Sequence, residues 1–505
     1  MMKLRARVIG AVVLGVTVLV TWILYEELSS GRTDIRHHHS IEGSMDYNVL
    51  YGHQKLQHQL QQVDLKSIRD IRNTMDINSN SQEKDYVTKN STVLFDIAVE
   101  RLLDRLELLT SFGLSRDLLR QTSMVILTRQ LGGIARKRSR RLPWPQNYGS
   151  DTSWTNYRKF HHNARAAALY DPDDPAIDGL LNDMATKPFK YLEMMEKGTE
   201  LKLLIQYFDG TKAVFKPMRW PRDHETLPNH FYFNDYERHN AEIAAFHLDR
   251  IFGFYRVPPV TGRFVNMTSE IFMLAGKALK KTFYVSPIGN LCFFGECSYY
   301  CDSRHSFCGV GDVIEGSLMT WLPEPPVGDR DRWRSPYRRS YSKFRKAEWE
   351  VDDTYCEGLL LDDQLLYERF MPDLIDAHIF DFITGNMDRH HIEVFLHLRN
   401  DSCPIHMDNG RGFGKTKVDE FSILAPLIQC CRIRKSTFLK LTKLYVGPEP
   451  LSELLDESLR NDPLYPILTS GFYDAVDRRV LHVLRTVARC LTNHSIKDVF
   501  IDDPF

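Results

Sequence analysis

Four charged residues lie along the chain in an order that suits phosphoryl transfer. They are Lys216 in Val-Phe-Lys-Pro, Glu237 in Asn-Asp-Tyr-Glu-Arg-His, Asp388 in Gly-Asn-Met-Asp-Arg-His-His and Asp408 in Met-Asp-Asn-Gly-Arg-Gly-Phe-Gly. Phosphoryl transfer needs a cation on the phosphates, acidic metal ligands and a carboxylate near the acceptor hydroxyl. Because the chain offers each of these groups in turn, we predict a phosphotransferase site.

The role of the first acid stays open on residue types alone. Glu237 falls at the third position of a helix predicted from about Asn234 to Phe252, where an N-terminal capping role explains it as well as a lysine partner or a metal ligand does. Glu242 lies about one and a half turns further along and competes for the same role. In contrast, Asp388 and Asp408 are 20 residues apart and both follow apolar runs, as the catalytic-loop and metal-binding aspartates of protein kinases do.

A metal site built from His390, His391 and His406 is the alternative chemistry. Adjacent histidines point in divergent directions, and neither His-Glu-x-x-His nor Cys-x-x-Cys occurs in the chain. Gly-x-Ser-x-Gly is also absent, which disfavours a serine hydrolase of that type.

The elements around these residues predict a two-lobed domain. Apolar segments at 200–208 and 212–217 flank Asp209-Gly210, which indicates a β-hairpin that carries Lys216. The predicted helix to Phe252 follows, and helical patterns at 365–384 and 474–491 dominate the C-terminal part. The fold class is therefore α+β, an atypical bilobal protein-kinase-like fold with a small β-rich N-lobe and a larger helical C-lobe.

The N-terminus predicts a signal anchor. Lys3, Arg5 and Arg7 precede an apolar run from Val8 to Leu24, which suits a single span with the C-terminal bulk in the lumen. A cleaved signal peptide and a buried core helix are the alternatives. The predicted division is 1–25 as cytosolic tip and transmembrane anchor, 26–150 as luminal stem with a helical segment at 93–131, and 151–505 as the kinase domain. The basic run 136–141 is either a processing site or a solvated helix end.

Composition narrows the class of protein further. The net charge of −1 disfavours a general nucleic-acid binder, and the mean hydropathy of −0.34 excludes a multi-pass membrane protein. Four glycosylation sequons fit a luminal domain: Asn90, Asn266, Asn400 and Asn493. The nine cysteines all lie from Cys292 onward, and in an oxidising compartment they are expected to form disulfides.

The motifs resemble those of the secretory-pathway kinases known as "family with sequence similarity twenty", distantly related to Four-jointed. The resemblance runs from about Lys187 to Asp502 and includes the long motif Cys-Phe-Phe-Gly-Glu-Cys-Ser-Tyr-Tyr-Cys at 292–301. Of three branches, the Golgi casein-kinase branch fits better than the glycosaminoglycan xylosylkinase or the activating pseudokinase. It fits through that motif, through Asn-Met-Asp at 386–388, through Asp-Asn-Gly-Arg-Gly-Phe-Gly at 408–414 and through Cys-Cys-Arg-Ile-Arg-Lys-Ser-Thr at 430–437.

The resemblance implies an ATP-dependent, manganese-preferring serine protein kinase, with Mg²⁺ as the alternative ion, that phosphorylates Ser-x-Glu motifs of secreted proteins. It assigns Asp388 as catalytic base and Glu237 and Asp408 as metal ligands. Because the pseudokinase branch lacks the acid at Glu237, its presence implies an active enzyme. The implied nucleotide contacts are Glu200, Lys216, Glu393 and Asp408, together with Met319, Thr320, Trp321 and Leu322, which form the implied hinge.

The resemblance also implies the disulfide pattern and the location. The implied pairs are Cys292–Cys308, Cys297–Cys301, Cys356–Cys430 and Cys431–Cys490, which leaves Cys403 unpaired. The implied location is the Golgi lumen, as a single-pass type II membrane protein or as a secreted form after cleavage. The implied partners are secreted acidic proteins and the membrane, with a homodimer or a heterodimer with a related kinase as a further expectation and nucleic acid excluded.

A basic run between positions 332 and 346 gives a separate indication of substrate preference. It consists of Arg332, Arg334, Arg338, Arg339, Lys343, Arg345 and Lys346, with aromatic residues between them. Such a patch in a nearly neutral protein suits acidic peptides through electrostatic steering and charge-assisted hydrogen bonds. An exposed loop without a binding role explains the same residues.

Overall fold

The computed structural model describes residues 154–164, 168–195, 198–227, 229–325, 328–361, 369–396, 398, 402–446 and 449–501. The predicted anchor, the stem with its helical segment, the basic run 136–141 and the sequons at Asn90 and Asn400 lie outside these residues. None of the helices in the described part combines the length and the apolar composition that crossing a bilayer requires.

The described chain alternates short strands and helices. The strands are β1 Phe189–Met194, β2 Leu203–Tyr207, β3 Lys212–Pro217, β4 Val260–Asn266, β5 Phe283–Val285, β6 Leu291–Phe293, β7 Phe307–Cys308, β8 Val313–Thr320, β9 Arg330–Arg334, β10 His391–Phe395, β11 Ile433–Arg434 and β12 Phe500–Ile501. The helices are α1 Asn156–Asn163, α2 Pro175–Thr186, α3 His239–Phe252, α4 Lys277–Lys280, α5 Tyr355–Leu360, α6 Phe370–Thr384, α7 Ala425–Cys430, α8 Lys435–Val446, α9 Leu451–Leu459, α10 Ser470–Asn493 and α11 Ile496–Val499.

The N-terminal lobe is built on a five-stranded antiparallel sheet in the order β1-β2-β3-β8-β4. The predicted hairpin is confirmed, because β2 pairs with β3 with Leu203 opposite Phe215. Its turn contains Gly210 at a φ of +85°, a left-handed conformation that glycine adopts without steric cost. The hairpin therefore fixes which face of β3 presents Lys216 to the interior.

Helix α3 begins later than the sequence predicts. The predicted start near Asn234 is wrong, since the helix begins at His239 and Asn234 ends a separate turn of 3-10 helix. The reason lies in Arg238, whose guanidinium donates to the Asp235 carboxylate at 3.0 Å while its own backbone stays extended. Glu237 therefore precedes the helix and does not cap it.

The C-terminal lobe is built around α6. Every residue of this helix is buried, as expected for a helix that is apolar on nearly all sides and packed in the middle of a lobe. It begins at Phe370 rather than at 365, and it ends at Gly385, whose φ of +77° turns the chain out of the helix. Helix α10 is longer than the predicted 474–491 and packs along α6, α8 and α9. Together these helices hold the segment after Gly385 in place.

The structure joins eight cysteines in the four pairs that the resemblance implies. Two of the pairs lie in the insert formed by β5, β6 and β7, where Cys292 of β6 faces Cys308 of β7. The other two connect α7 to α5 and to α10. Cys403 is unpaired and only 1% exposed.

Two predicted sequons fall within the described residues, and they differ in accessibility. The Asn266 side chain accepts hydrogen bonds from the N–H and the hydroxyl of Ser269, at 2.7 and 2.8 Å, and is partly buried. Asn493 is exposed at the end of α10. Of the two, Asn493 therefore offers its amide to modification more freely.

We predict that Cys403 is the one cysteine that alkylates without reduction. In the folded protein at neutral pH it should resist iodoacetamide, because burial raises the pKa of its thiol to about 11. In denaturant without reductant it should react fully. Peptide mass mapping checks this result, and alkylation of any other cysteine before reduction would contradict the four pairs.

Candidate active site

Lys216 is the centre of a buried charge cluster. It projects from β3 and is 6% exposed. Its ammonium group contacts the Glu242 carboxylate, lies 2.7 Å from Glu237 Oε2 and lies 3.6 Å from Asp408 Oδ1. Although burial lowers the pKa of Lys216, these three acids outweigh it and raise that pKa well above its ordinary value. The lysine is therefore a permanent cation within the protein.

The two acids that the sequence could not separate occupy different positions around the lysine. Glu242 lies in the first turn of α3, is 1% exposed and also accepts the Asn409 N–H at 3.2 Å. Glu237 is the outer acid, with its side chain 13% exposed and its Oε1 3.8 Å from the Lys202 ammonium. Glu242 is buried and bonds to a main-chain N–H as well as to Lys216, whereas the Glu237 carboxylate is the more exposed and, among the described residues, contacts only the two lysines, so Glu237 is the acid more available to a ligand.

Lys202 is a site residue that the sequence analysis missed. Its ammonium lies 3.1 Å from Asp408 Oδ1. The flanking Leu201 and Leu203 are buried, so the alternation of a strand would have placed Lys202 on the opposite face, toward the cleft. Lys202 first, and Lys216 second, hold the pKa of Asp408 far below its usual value. Asp408 is therefore ionised at any physiological pH.

Glu237 and Asp408 fit a divalent cation. Both carboxylates contact the same two lysines, so their oxygens converge, and the Asp408 side chain is 60% exposed. Carboxylate oxygens are hard donors of the kind that Mg²⁺ and Mn²⁺ prefer. Within the described residues, no group of three or more His, Cys, Asp or Glu side chains could hold a metal ion. The two acids would therefore share such an ion with phosphate and water oxygens.

The histidine alternative is not supported in the described part of the chain. The rings of His390 and His391 lie 4.5 Å apart, centre to centre. His406 is 1% exposed in the core, where its ring packs against Phe380 at 5.2 Å. The three histidines thus occupy different environments.

Glu200 lies directly behind the outer acid. It is 5% exposed, and its Oε1 accepts the main-chain N–H of Glu237 at 2.8 Å. Its Oε2 lies 3.3 Å from Nε of Arg219. Burial, and then the nearby charge of Glu237, raise the pKa of Glu200 to about 7. Glu200 therefore holds the backbone of Glu237 in position.

Asp388 stands at the mouth of a separate cleft. Its main-chain N–H donates to Asn386 Oδ1 at 3.0 Å, and its Oδ2 accepts a hydrogen bond from Arg411. Nδ1 of His390 lies 3.2 Å from Oδ1, but it hydrogen-bonds to the main-chain oxygen of Asp388 at 2.7 Å, which leaves Oδ1 without a hydrogen-bond partner. The cleft beside Asp388 has about 470 Å³ of empty space, open solvent included, and is also lined by Tyr232. Asp388 thus has its Oδ2 held by Arg411 and its buried Oδ1 close to His390.

Arg389 ties the loop of Asp388 to the loop of Asp408. Its guanidinium donates to both oxygens of Asp381, at 2.9 and 2.8 Å, and to Asn409 Oδ1 at 2.8 Å. This bracing fixes the spacing between the two aspartates.

The predicted hinge residues lie at the C-terminal end of β8 and directly after it. Met319 and Thr320 end β8, paired with β3 on one side, and Leu322 is buried. Trp321 donates its main-chain N–H to the Lys212 carbonyl at 3.0 Å. The segment therefore runs along the edge of the Lys216 hairpin, as a hinge would.

Glu393 lies apart from the lysine cluster. It is on β10, and its carboxylate is 3.0 Å from Nε of Arg330 on β9. Its main-chain oxygen accepts the Ile405 N–H at 2.9 Å, three residues before Asp408. Within the described residues, the Glu393 carboxylate thus forms an ion pair with Arg330.

With this geometry in place, comparisons with known proteins give a consistent result. A family model described as "Golgi casein kinase, C-terminal, Fam20" matches residues 155–499. The chain belongs to the Fam20 family. The matched region coincides with the described domain and contains every site residue considered above.

Two curated relatives and one solved structure illustrate the similarity. The chain is 50% identical over 347 residues to "Extracellular serine/threonine protein CG31145" of Drosophila melanogaster, covering 68% of this chain and 65% of the relative. It is 49% identical over 352 residues to "Extracellular serine/threonine protein kinase FAM20C" of Homo sapiens, covering 70% and 60%. A solved Golgi casein kinase with Mn/ADP bound has a TM-score of 0.67 and 44% identity, covering 69% of this chain and 84% of that chain. The human pseudokinase FAM20A and the human glycosaminoglycan xylosylkinase are each 41% identical.

The basic run between positions 332 and 346 of this Fam20 chain borders the loop that contains Asp388. Tyr341, within the run, packs near the His390 ring at 6.1 Å. Of its basic residues, all but Arg339 are exposed, whereas Arg339 is partly buried and donates to Ser422 Oγ at 2.7 Å. The run therefore presents most of its charge to solvent on the side of the domain where Asp388 lies.

We predict that Glu242→Gln destabilises the domain by about 1–3 kcal/mol, because it removes a buried charged hydrogen-bond acceptor of Lys216. The matched control is Glu324→Gln, which breaks an ion pair with Lys212, the first residue of the strand that also carries Lys216. That pair spans 2.9 Å and Glu324 is 54% exposed, so the loss should be below about 1 kcal/mol. Urea unfolding measures both changes, and equal losses would contradict a buried cluster.

Proposed function

We propose that this Fam20 chain is a secretory-pathway serine protein kinase, which transfers the γ-phosphate of ATP to serine in Ser-x-Glu motifs of secreted proteins. The observation that carries the proposal is the position of Asp388, which lines a cleft and has its Oδ1 3.2 Å from Nδ1 of His390. A carboxylate in that position can accept the proton of an acceptor hydroxyl as the phosphoryl group is transferred. Arg411 holds the other oxygen and thereby fixes the orientation of the carboxylate.

The phosphate side of the reaction would be served by the lysine cluster. Lys216 and Lys202 supply positive charge for the phosphates, and Glu237 and Asp408 would hold Mn²⁺, with Mg²⁺ as the alternative ion. When bound, the ion neutralises charge on the phosphoryl oxygens. Support comes from the convergence of the two carboxylates on shared lysines and from the similarity to a structure solved with Mn/ADP.

The remaining nucleotide contacts are proposed from position. The segment Met319 to Leu322 would bind the base along its backbone, as kinase hinges do. Glu200 would act through Glu237, whose backbone it holds. Glu393 stays a proposed nucleotide contact, and it would have to approach the nucleotide while paired with Arg330.

The family and the four disulfides fit a secretory-pathway protein. We further propose that residues 1–25 anchor the protein in the Golgi membrane as a type II protein, that 26–150 form the stem, and that 151–505 form the kinase domain. Cleavage between anchor and domain would release a secreted form. Dimerisation with a copy of itself or with a related kinase is part of the same proposal. The chain spans 65% of the length of the Drosophila melanogaster relative and 60% of the length of the Homo sapiens relative.

Two other Fam20 activities compete with this proposal. A xylosylkinase would use a sugar acceptor, and a pseudokinase would activate a related kinase without transferring phosphate. The relatives with those names are less similar than the protein kinases, at 41% against 49% and 50% identity. The presence of Glu237 in the cluster also favours an enzyme over a pseudokinase.

We predict that the luminal protein, given ATP and Mn²⁺, labels serine in a Ser-x-Glu peptide and leaves a xylose-containing tetrasaccharide unlabelled. Asp388→Asn should lower the rate by about 100-fold or more, since it removes the proton acceptor. Labelled ATP with the two acceptors side by side measures both effects. Preference for the sugar would support the xylosylkinase alternative, and no transfer to either would support the pseudokinase.

We predict that Glu237→Gln and Asp408→Asn weaken Mn²⁺ binding in the presence of ADP by about tenfold or more, because each removes an anionic oxygen ligand. Glu242→Gln is the matched control, since its carboxylate is committed to Lys216 and Asn409. Electron paramagnetic resonance of free Mn²⁺ measures the binding. Equal weakening by Glu242→Gln and Glu237→Gln would contradict the assignment of Glu237 to the metal.

A further inference from the structure

A second, smaller cavity opens beside Asp388, separate from the larger cleft. It has about 310 Å³ of empty space, open solvent included, and is lined by Tyr337, Arg339, His378 and Ser422 as well as by Asp388 itself. Both cavities share Met387 and Asp388. A substrate that places its hydroxyl at Asp388 therefore has two places for a neighbouring side chain.

Arg339 lines the smaller cavity, where the charges of Glu350 and Glu420 act on it without forming an ion pair. It is partly buried, it donates to Ser422 Oγ at 2.7 Å, and no described carboxylate forms an ion pair with it. The two acids that line the same cavity are already engaged: Asp381 by Arg389, and Asp388 by Arg411. A partly desolvated guanidinium without a carboxylate partner is costly for the protein and favours an anion from outside.

The larger cleft does not offer such a charge. Each of its cations is paired with an acid, in the pairs Arg411–Asp388, Lys415–Glu420 and Arg479–Asp419. A substrate carboxylate placed there would have to displace an internal partner. Charge therefore distinguishes the two cavities and favours the smaller one for an acidic side chain.

Peptide geometry gives the position of the acid. In an extended chain, successive side chains point to opposite sides, so the residue two positions after an acceptor serine points to the same side, about 7 Å away. The residue directly after the serine points away from the cavity. The acid of a Ser-x-Glu motif is the second residue after the serine, so in an extended peptide its side chain points to the same side as the serine. Arg339 lines the cavity that Asp388 also lines, so it is a cation available to that acid when the serine is at Asp388.

We propose that Arg339 binds the carboxylate of the acidic residue two positions after the acceptor serine, inside this cavity. The inference rests on the proposed protein kinase activity and names the residue that sets its sequence preference. It separates Arg339 from the exposed arginines and lysines of the basic run, which steer acidic substrates without reading the position of the acid.

The test compares two peptides that differ only in Ser-x-Glu against Ser-x-Gln. Wild-type protein should favour the glutamate peptide in kcat/KM. Arg339→Gln should reduce that preference about tenfold or more, because it removes a charged hydrogen bond that only the glutamate peptide can form. Arg338→Gln is the matched control, since Arg338 is the adjacent, exposed arginine and does not line the cavity.

Each outcome separates the inference from the proposed function. If wild-type protein labels the peptides but Arg339→Gln keeps the wild-type preference, or loses it no more than Arg338→Gln does, the inference is wrong and the kinase assignment stands. If wild-type protein labels neither peptide, both are wrong. If Arg339→Gln does not fold, Arg339→Lys carries the test, because lysine lacks the planar fork that binds a carboxylate at two points. Its preference should then fall below the wild-type value, and an unchanged preference would overturn the inference.

Discussion

A buried lysine surrounded by acids is the constraint on which the rest of the domain depends. An ammonium group taken out of water is costly unless carboxylates balance it, and Lys216 is balanced by acids from three separate segments. One acid comes from α3, one from the extended segment before it, and one from the loop after Ile405. These segments must therefore meet before the lysine can be buried, so the site is complete only when the two lobes are packed together.

The close approach of these segments explains a glycine in the motif after Asp408. A side chain at Gly410 would lie 2.9 Å from Glu237 Cβ and 3.2 Å from Glu242 Oε1. The Gly410 carbonyl also accepts the Arg238 N–H at 2.7 Å, which holds the backbone before α3 extended. The glycine thus lets the C-lobe loop pass directly over the two acids. A motif that resembles a flexible turn in sequence is, in the structure, a tight contact between the lobes.

The sequence predicted the parts of the site that depend on local pattern. The Asp209-Gly210 turn and the flanking apolar alternation were enough to place Lys216 on a hairpin, and the apolar run of α6 was enough to place Asp388 just after a buried helix. The start of α3 was missed because a side-chain and main-chain network around Arg238, brought together only in the fold, overrides the capping preference of Asn234. Lys202 was missed because its partners, Glu237 and Asp408, are 35 and 206 residues away. Distinguishing the role of Glu237 from that of Glu242 likewise required the three-dimensional structure, because both are acids a few residues apart in the sequence.

The adjacent half-cystines of α7 have a consequence for the integrity of the chain. Cys430 bonds back to Cys356 and Cys431 bonds forward to Cys490, so two large covalent rings are linked by the single peptide bond between Cys430 and Cys431. A single proteolytic cut inside either ring would leave both fragments attached to the domain. The C-terminal lobe, which carries both Asp388 and Asp408, is therefore a covalently closed unit that would survive a nick in an oxidising environment and come apart only after reduction.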